Sequence, residues 1–566
     1  MVSISDVKRW NPATLNEAAT TAQQREQTLI HSGDDYGKTM PIEGWTGGAA
    51  DDALSAHRLL MFRLEKLAAN ANVVHKALMQ ASDAIPPVQN AIHAAEELAR
   101  KYGYSVDDAG GIIDAFAGRE PSPEMHPEDR ARARQQVADD LAQALRTAED
   151  IDVDLATVLR RAGQGEFGSG NDATVAAAAA AAEIANPGLT LPEPPPNATA
   201  AQNAAWWATL SPAGQGILLR DHPDWLGNRD GLPGAVRSQA NTARLPGERA
   251  RLAQEQAGAQ RMVDAAKAVY DPSGGVMGAA LTRLQEVNGK IAALDAVQTT
   301  MGKGNRQLLF LDTTHPRVEA AIAVGNIDTA RNVAVFTPGF TTTVNGDLAQ
   351  YDRNMDDLRN NAHDIERRHG GGPTAAVTWI GYQAPQWDGI GDPGQSVLAP
   401  PAAQAGGDSL AKFYNGIGAG HDASGTPLHL TALGHSYGST TTGYALGHDT
   451  PVQDAMLFGS PGQGAEHLKI PEGRLYSEHN AGDTLVPSYG NTGALGPSPY
   501  FSPDASHYHQ MSTDASVTEA GQLNATKDHS GYLDAGSTSI HNMAAITTGH
   551  PDLAQYKGTV LADGPR

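Results

Sequence analysis

The chain has 566 residues, no cysteine and a formal net charge of −23, from 41 basic and 64 acidic side chains. The length allows several domains, the lack of cysteine excludes disulfides, zinc–thiolate sites and a cysteine nucleophile, and the acidic surface disfavours general binding to nucleic acid. No H-E-x-x-H, no G-x-x-x-x-G-K-[ST] and no G-x-G-x-x-G after a strand is present, so we expect neither a metal nor a cofactor.

Residues 1–165 are predicted to be helical. Asn11 followed by Pro12 is typical of a helix start, and apolar residues recur at three- and four-residue spacing from Leu54 to Leu78. Pro86 and Pro87 are predicted to end that helix. The first residues lack the apolar core of a signal peptide, and no window has the roughly 18 apolar residues of a membrane span. We therefore expect no transmembrane segment.

Residues 166–200 are predicted to be a linker, because they combine a glycine-rich stretch, an alanine run and a proline cluster. The prolines of this cluster, 192–196, are expected to be extended and to act as a spacer. Residues 201–305 are predicted to be a helical connecting segment, with long helices over about 245–270 and 276–301. The sequence thus predicts a helical domain, a linker and a helical connection before the last domain.

Residues 306–566 alternate short apolar runs with helix-like stretches. This alternation predicts βαβ units and a mostly parallel sheet, which is the α/β fold class. The predicted strands lie in QLLFLD, NVAVFTPG, AAVTWIGY, LHLTALGHS, DAMLFGSPG and GRLYSEH.

The run LHLTAL leads directly into Gly434-His435-Ser436-Tyr437-Gly438, which fits G-x-S-x-G, and small residues follow. This order of strand, turn and helix is that of the nucleophile elbow of α/β hydrolases. The serine needs a strained turn, and a side chain at either glycine would collide with the neighbouring strand or helix. The pattern predicts Ser436 as a nucleophile.

A serine nucleophile needs a base, and the base needs an orienting acid, in the chain order Ser, Asp or Glu, His. Asp483 follows the predicted strand RLYSEH, and His529 lies in a downstream loop. We predict these two residues as acid and base. His507, His509 and His541 remain alternatives for the base, and Asp528 is a rival acid beside His529.

An oxyanion hole requires two backbone N–H groups. One is expected from Tyr437, the residue after the nucleophile, and the other from the turn Gly339-Phe340-Thr341 after an earlier strand. Two segments are candidates for a lid over the site. One is 383–425, with Trp387 and a short helix near 410–414, and the other is 490–503.

These motifs, together with WWATLSPAGQGILLRDHPDWLGNRDGLP (206–233), WIGYQAP (379–385), LFGSPGQG (457–464), AGDTLVP (481–487) and HSGYL (529–533), resemble an actinobacterial α/β-hydrolase family first catalogued as DUF1023. The resemblance covers about residues 200–550. It implies an α/β-hydrolase fold preceded here by an all-α domain, and a Ser-Asp-His triad at Ser436, Asp483 and His529. It implies no particular substrate.

The N-terminal region is similar to the WXG100-type helical hairpins of type VII secretion. The matching residues are Trp45 and Gly47 between two helices, and Tyr104 with Asp108 in a Y-x-x-x-D pattern. The resemblance implies that the tryptophan packs between helices and that Tyr104 and Asp108 share one helix face, available to a secretion receptor or chaperone. An ordinary helical bundle is the alternative.

The combined expectation is a serine hydrolase that cleaves carboxylic esters, above all lipid or acyl esters, by an acyl-enzyme mechanism. An amidase or peptidase uses the same triad, and a secretion-linked interaction protein with a non-catalytic hydrolase fold is the alternative of another class. The secretion resemblance implies export to the cell envelope or beyond by a route without a signal peptide, and a cytoplasmic location is the alternative.

Overall fold

The computed structural model describes residues 2–118, 126–186, 188–270, 273–392, 394–486 and 492–558. By its internal contacts the chain divides into two compact units, Met1–Ile217 and Leu218–Arg566. The first unit is helical, and the second contains the sheet. Among the described residues, no helix combines the length and the apolar character needed to cross a membrane.

The helices of the first unit begin at capping side chains. Asn11 Oδ1 accepts a hydrogen bond from the Ala13 N–H at 3.0 Å, and Ser3 and Asp6 form a capping box. The described elements are α1 (Ile4–Arg9), α2 (Pro12–Gly37), α3 (Gly48–Lys101), β1 (Tyr104–Val106), β2 (Ile112–Asp114), α4 (Pro127–Gly163), α5 (Val175–Ala185) and α6 (Ala200–Ala208). The next helix, α7 (Pro212–Asp221), contains the boundary between the units.

Helix α3 does not end at Pro86 and Pro87 as predicted but continues to Lys101. The prolines remove intrahelical donors, yet the residues on both sides of them are anchored in one core. Ile85, Val88 and Ile92 are buried against α4, together with Val137 and Leu141. Burial of this apolar stripe outweighs the proline penalty, so the helix runs through.

The predicted linker is not an extended spacer along its whole length. Its alanine run forms α5, and Val175, Ala178, Ala179 and Ala182 are buried. The small side chains let α5 approach closely, since a Cβ on Gly33 of α2 would lie 2.3 Å from a methyl carbon of Val175. The alanine run is therefore part of the first unit's core.

The residues of the secretion resemblance are arranged differently from the expectation. Trp45 and Gly47 do lie between α2 and α3, but the Trp45 ring is 42% exposed and does not pack between the helices. Tyr104 is buried in strand β1, under the guanidinium of Arg130. Asp108 lies beyond that strand and accepts hydrogen bonds from the Ser5 N–H and hydroxyl. Tyr104 and Asp108 do not share a helix face.

The second unit combines helices on both faces of one large sheet. Its helices are α8 (Pro223–Leu226), α9 (Gly234–Ala266), α10 (Gly275–Met301), α11 (Val344–His369), α12 (Pro401–Ser424), α13 (Tyr437–Leu446) and α14 (Thr538–Thr547). Its strands are β3 (Arg306–Asp312), β4 (Glu319–Val324), β5 (Asn332–Thr337), β6 (Thr374–Ile380), β7 (His429–His435), β8 (Val452–Phe458), β9 (Leu475–Glu478), β10 (His509–Met511), β11 (Ser516–Thr518) and β12 (Gly521–Leu523).

Within the described residues, eight strands form the main sheet in the order β10-β9-β8-β7-β5-β6-β4-β3. The six strands from β10 to β6 are parallel, while β4 and β3 are added antiparallel at one side. All residues of β5 and β6 are buried, as expected for strands covered on both faces. The order places β7, with Ser436 at its end, in the middle of the sheet.

Alternate residues of β5 enter two different cores, because successive side chains of a strand point to opposite faces. Val333 and Val335 pack with residues of α12 and α13. Ala334 and Phe336 pack with residues of α11 and α14. The sheet therefore separates two helical layers.

Helices α9 and α10 were predicted as a connecting segment, but they belong to this unit. They bury Leu252 and Leu294 against the β3–β4 end of the sheet.

Candidate active site

Ser436 occupies a sharp turn between the end of β7 and the start of α13. Its backbone has φ +54° and ψ −133°, a conformation that a residue with a side chain rarely adopts and that costs about 1–3 kcal/mol. Hydrogen bonds hold the turn, since the Ser436 N–H donates to the Phe458 carbonyl at 3.1 Å and the Ser439 N–H donates to the Ser436 carbonyl at 2.9 Å. The surrounding structure thus fixes the serine in a strained, partly exposed position.

The two glycines of the motif are required for space. A Cβ on Gly438 would lie 2.2 Å from the Thr337 carbonyl oxygen, and a Cβ on Gly434 would lie 2.7 Å from the Ser439 Cα. Neither residue has a positive φ. The glycines therefore allow the turn to approach β5 on one side and α13 on the other.

Three predicted side chains form one hydrogen-bonded chain. The Ser436 hydroxyl donates to His529 Nε2 at 2.8 Å, and His529 Nδ1–H donates to Asp483 Oδ2 at 2.8 Å. Asp483 lies in the turn after β9, and His529 lies in the loop before α14. The Asp483 side chain is fully buried, whereas that of His529 is 20% exposed. The His529 end of this hydrogen-bonded series is accessible to solvent, whereas the Asp483 carboxylate is not.

The Asp483 carboxylate is satisfied on both oxygens. Oδ2 also accepts from the Tyr532 hydroxyl at 3.1 Å, and Oδ1 accepts from the N–H groups of Leu485 and Val486. Burial raises the pKa of Asp483, but the hydrogen bonds from His529, Tyr532 and Val486 outweigh it, so its pKa lies below the usual value. Asp483 is therefore ionised at neutral pH.

His435, immediately before Ser436, contacts the backbone of His529 rather than the Ser436 hydroxyl. Its Nε2–H donates to the His529 carbonyl at 2.8 Å, and its ring stacks on Phe458 at 5.2 Å between centroids. Burial, followed by the neighbouring charge of His529, lowers the pKa of His435 to about 3. A neutral His435 therefore joins the loop of His529 to strand β7, which leads into Ser436.

The predicted oxyanion turn lies directly against the elbow. A Cβ on Gly339 would be 2.9 Å from the Tyr437 nitrogen and 2.8 Å from the Ser436 Cβ. The Thr341 N–H, which was expected as a possible donor, is engaged by the Pro385 carbonyl at 2.9 Å. Within the described part of the chain, the backbone N–H groups of Tyr437, Gly339 and Phe340 have no hydrogen-bond acceptor. Of the four predicted donors, these three are therefore unoccupied.

The alternative histidines make other contacts. His507 is exposed in the short helix 503–507, His509 Nε2–H donates to the Gly473 carbonyl, and His541 Nε2–H donates to the Leu553 carbonyl. Asp528 accepts from the Ser530 N–H. The structure brings His529 and Asp483 to Ser436 and leaves these four residues in other roles.

The lid prediction for residues 410–414 is wrong. These residues belong to α12, and Leu410, Phe413 and Tyr414 are buried against the sheet. Trp387 is 72% exposed, and its ring meets Phe340 edge-on at 4.7 Å. Of the other predicted lid, residues 490 and 491 lie outside the described residues, and Tyr500 is tied through its hydroxyl to the Glu478 carbonyl.

Tyr532 is a functional candidate that the sequence does not reveal. Besides donating to Asp483, its hydroxyl accepts from the Asn480 N–H at 3.0 Å. The only sequence signal is its position three residues after His529, within HSGYL.

Across the described ranges, no three or more His, Cys, Asp or Glu side chains are grouped so that they could hold a metal ion.

Comparisons with known proteins agree with this architecture. Residues 314–488 match a family model described as alpha/beta hydrolase, and this range includes Ser436 and Asp483 but not His529. The uncharacterized protein Rv2079 of Mycobacterium tuberculosis is 30% identical over 392 residues, which are 64% of this chain and 58% of that protein. The chain thus spans less than two thirds of the length of this relative.

A second relative is covered more fully. The uncharacterized protein Mb0988c of Mycobacterium bovis is 32% identical over 219 residues, which are 37% of this chain and 79% of that protein. Together with the central parallel sheet, the helices on both faces and the turn that holds Ser436, these similarities establish that the chain belongs to the α/β hydrolase family.

Proposed function

We propose that the protein is a serine hydrolase that cleaves carboxylic esters through an acyl-enzyme intermediate. The observation that carries the proposal is the continuous hydrogen-bonded chain from the Ser436 hydroxyl through His529 to the ionised Asp483. A nucleophile, a base and an orienting acid in this geometry are the parts that acyl transfer requires.

In the proposed mechanism, Ser436 Oγ attacks the ester carbonyl while His529 Nε2 takes its proton. The N–H groups of Tyr437 and Phe340 donate to the oxyanion that forms. The imidazolium then returns the proton to the alcohol, which leaves as the acyl-enzyme forms. His529 next removes a proton from water, which attacks the acyl carbonyl. The imidazolium then returns this proton to Ser436 Oγ as the bond between that oxygen and the acyl carbon breaks, and the carboxylic acid is released.

Asp483 keeps the imidazole in the tautomer that leaves Nε2 free to accept the serine proton. Its buried charge also stabilises the imidazolium that forms in each half-reaction. The helix N-terminus of α13 adds a positive potential next to the nucleophile. These contributions require no group beyond the chain itself.

Apolar side chains on the loops near the site favour lipid or acyl esters as substrates. Trp387 lies on Phe340 of the oxyanion turn, and Leu485 follows Asp483 by two residues and is exposed. Exposed aromatic and aliphatic groups beside a reactive serine offer contact area for an acyl chain. An amide substrate would use the same residues, so the assay below includes one.

The test is hydrolysis of p-nitrophenyl esters of increasing acyl length, with the matching p-nitroanilides, by the wild type and Ser436→Ala. We expect the variant to lose ester hydrolysis by a factor on the order of 10⁴ or more. Ser409→Ala is the matched control, because Ser409 is an exposed serine of α12. Undiminished hydrolysis by Ser436→Ala contradicts the proposal. If the wild type cleaves the anilides faster than the esters, the proposed activity changes from esterase to amidase.

A further inference from the structure

A cleft lies at the opposite edge of the sheet from Ser436. It has a volume of about 560 Å³, and its lining includes Arg331, His429, Asp454 and Arg474. These residues lie at the amino ends of β5, β7, β8 and β9, the strands whose other ends lead to the oxyanion turn, Ser436 and Asp483. Seven residues of β7 separate the two edges by roughly 20 Å. The cleft is therefore separate from the proposed catalytic site.

A histidine–aspartate pair forms the floor of this cleft. His429 Nε2 lies 2.6 Å from Asp454 Oδ2, and His429 Nδ1–H donates to the Thr547 carbonyl at 2.9 Å, at the carboxyl end of α14. Asp454 is only 1% exposed. The imidazole therefore links Asp454 to the end of that helix.

Two arginines lie beside this pair. Arg474 Nη1 forms an ion pair with Asp454 Oδ1 at 3.6 Å, too long for a hydrogen bond, and this buried oxygen has no hydrogen-bond partner in the described part of the chain. The Arg331 guanidinium makes no hydrogen bond or ion pair to the described residues. The nearby Glu366 carboxylate accepts hydrogen bonds from the Thr374 hydroxyl and the Asn332 side-chain amide.

From this arrangement we infer that the cleft is a binding site for a small molecule that carries a phosphate or carboxylate group. Arg331 and Arg474 bind the anion, since guanidinium groups match the geometry of both oxyanions. Asp454 Oδ1, which has an ion-pair partner but no hydrogen bond, accepts one from a hydroxyl group of the same molecule. A surplus of positive charge in a chain of net charge −23 favours a specific anion site over a general basic surface. The volume suits a small ligand.

The test is calorimetric titration of the full chain with inorganic phosphate and, separately, with malonate at low ionic strength. We expect saturable binding of at least one probe, and the stronger of the two identifies the anion as phosphate or carboxylate. Arg331→Gln should weaken binding at least about tenfold. Arg353→Gln is the matched control, because Arg353 is exposed on α11, where its guanidinium donates to the Gln350 side chain.

The same titration on Ser436→Ala separates this inference from the proposed hydrolase activity, because anion binding should be unchanged there. Thermal melting of Arg331→Gln shows whether it folds as the wild type does, and Arg474→Gln provides a second variant. Absence of saturable binding of both probes up to about 10 mM, or equal binding by wild type and both arginine variants, overturns the inference.

Discussion

At the residue scale, the Asp483 carboxylate is the most heavily supported group of the site. Four donors converge on it from the loop of the base, from the 3₁₀ turn after that loop and from its own turn. The buried charge is stable only while these donors are present, because an unpaired buried carboxylate would take up a proton. Tyr532 and Val486, which supply two of these donors, are therefore predicted to position the acid and, through it, His529.

Tyr532→Phe tests this positioning role. The variant removes one donor from Asp483 Oδ2 and leaves the Asn480 N–H without its acceptor, so the pKa of Asp483 should rise and His529 should be held less firmly. We expect kcat for ester hydrolysis to fall about tenfold with little change in KM, which corresponds to about 1.4 kcal/mol. Steady-state kinetics with a p-nitrophenyl ester measures the effect.

Tyr508→Phe is the control for this variant. Its hydroxyl is also buried and donates to Gln463 Oε1 at 2.8 Å, so its loss costs a comparable hydrogen bond away from the proposed triad. Tyr508→Phe should lower stability without lowering kcat. Equal kcat values for the wild type and Tyr532→Phe would show that the hydroxyl does not position the acid.

The positions of Ser436 and Asp483 could be predicted because each follows a recognisable strand, whereas His529 was predicted from the chain order of the motif alone. Parallel strands bring their carboxyl ends to one edge of the sheet, which collects residues far apart in the chain. The hydrogen bonds of Tyr532 and His435 could not be predicted in this way. They join segments that come close to each other only in the complete fold. Thr341 lies in the predicted turn, but its N–H donates a hydrogen bond to the Pro385 carbonyl. The catalytic roles themselves remain predictions.

At the element scale, the elbow is a close approach of β5, β7 and α13. Gly438→Ala should displace the turn, because the added methyl group would lie within 2.4 Å of the Thr337 and Pro338 carbonyl oxygens. We expect hydrolysis to fall at least about a hundredfold, as for a misplaced nucleophile, and the melting temperature to fall as well. Kinetics and thermal unfolding measure the two effects.

Gly289→Ala is the matched substitution in a helix. A Cβ at Gly289, within α10, has no neighbour within 4 Å, so the variant should keep full activity and gain about 0.5–1 kcal/mol of stability. If Gly438→Ala were as active as Gly289→Ala, the elbow would not hold the nucleophile as described here.

Most strands of the sheet could be predicted because their apolar runs are short, β-branched and bounded by turn residues. Strand β4, Glu319–Val324, was missed, since its three alanines have a low strand propensity. It forms because β3 and β6 flank it on both sides and all six of its residues are buried. Tertiary packing likewise allows α3 to continue past Pro86 and Pro87, which local helix propensity does not predict.

At the scale of the whole molecule, the division after Ile217 differs from the predicted boundaries. The alanine run joins the helical unit, and α9 and α10 join the sheet unit. Neither assignment could follow from composition, because small-residue and mixed-charge helices pack equally well in either place. Export and binding to secretion partners through the N-terminal helices stay predictions, and Tyr104 and Asp108 are not arranged on a helix as that resemblance implies.

A buried acid makes the stability of the molecule depend on pH. Burial raises the pKa of Glu478 to about 7, although Ser539 and Asn542 donate hydrogen bonds to it. In the unfolded chain its pKa is about 4.3. The folded protein therefore holds a proton that the unfolded chain has lost between these pH values, and this contribution to stability decreases as pH rises through 7.

Glu478→Gln imitates the protonated form at every pH. We expect the wild type and the variant to melt at similar temperatures near pH 5, and the variant to melt several degrees higher near pH 8, for a difference of about 3 kcal/mol. Thermal unfolding of both proteins across this range measures the effect. A difference between them that does not change with pH would show that Glu478 is ionised throughout.

The central claim is that Ser436 is a nucleophile activated by His529, and covalent labelling tests it most directly. A fluorophosphonate reacts with an activated serine and remains attached, so mass spectrometry of the digested protein identifies the modified residue. We expect stoichiometric modification of Ser436 in the folded wild type, slow modification in His529→Ala, and none after denaturation. Modification at another serine, or no modification of the folded protein, would contradict the account.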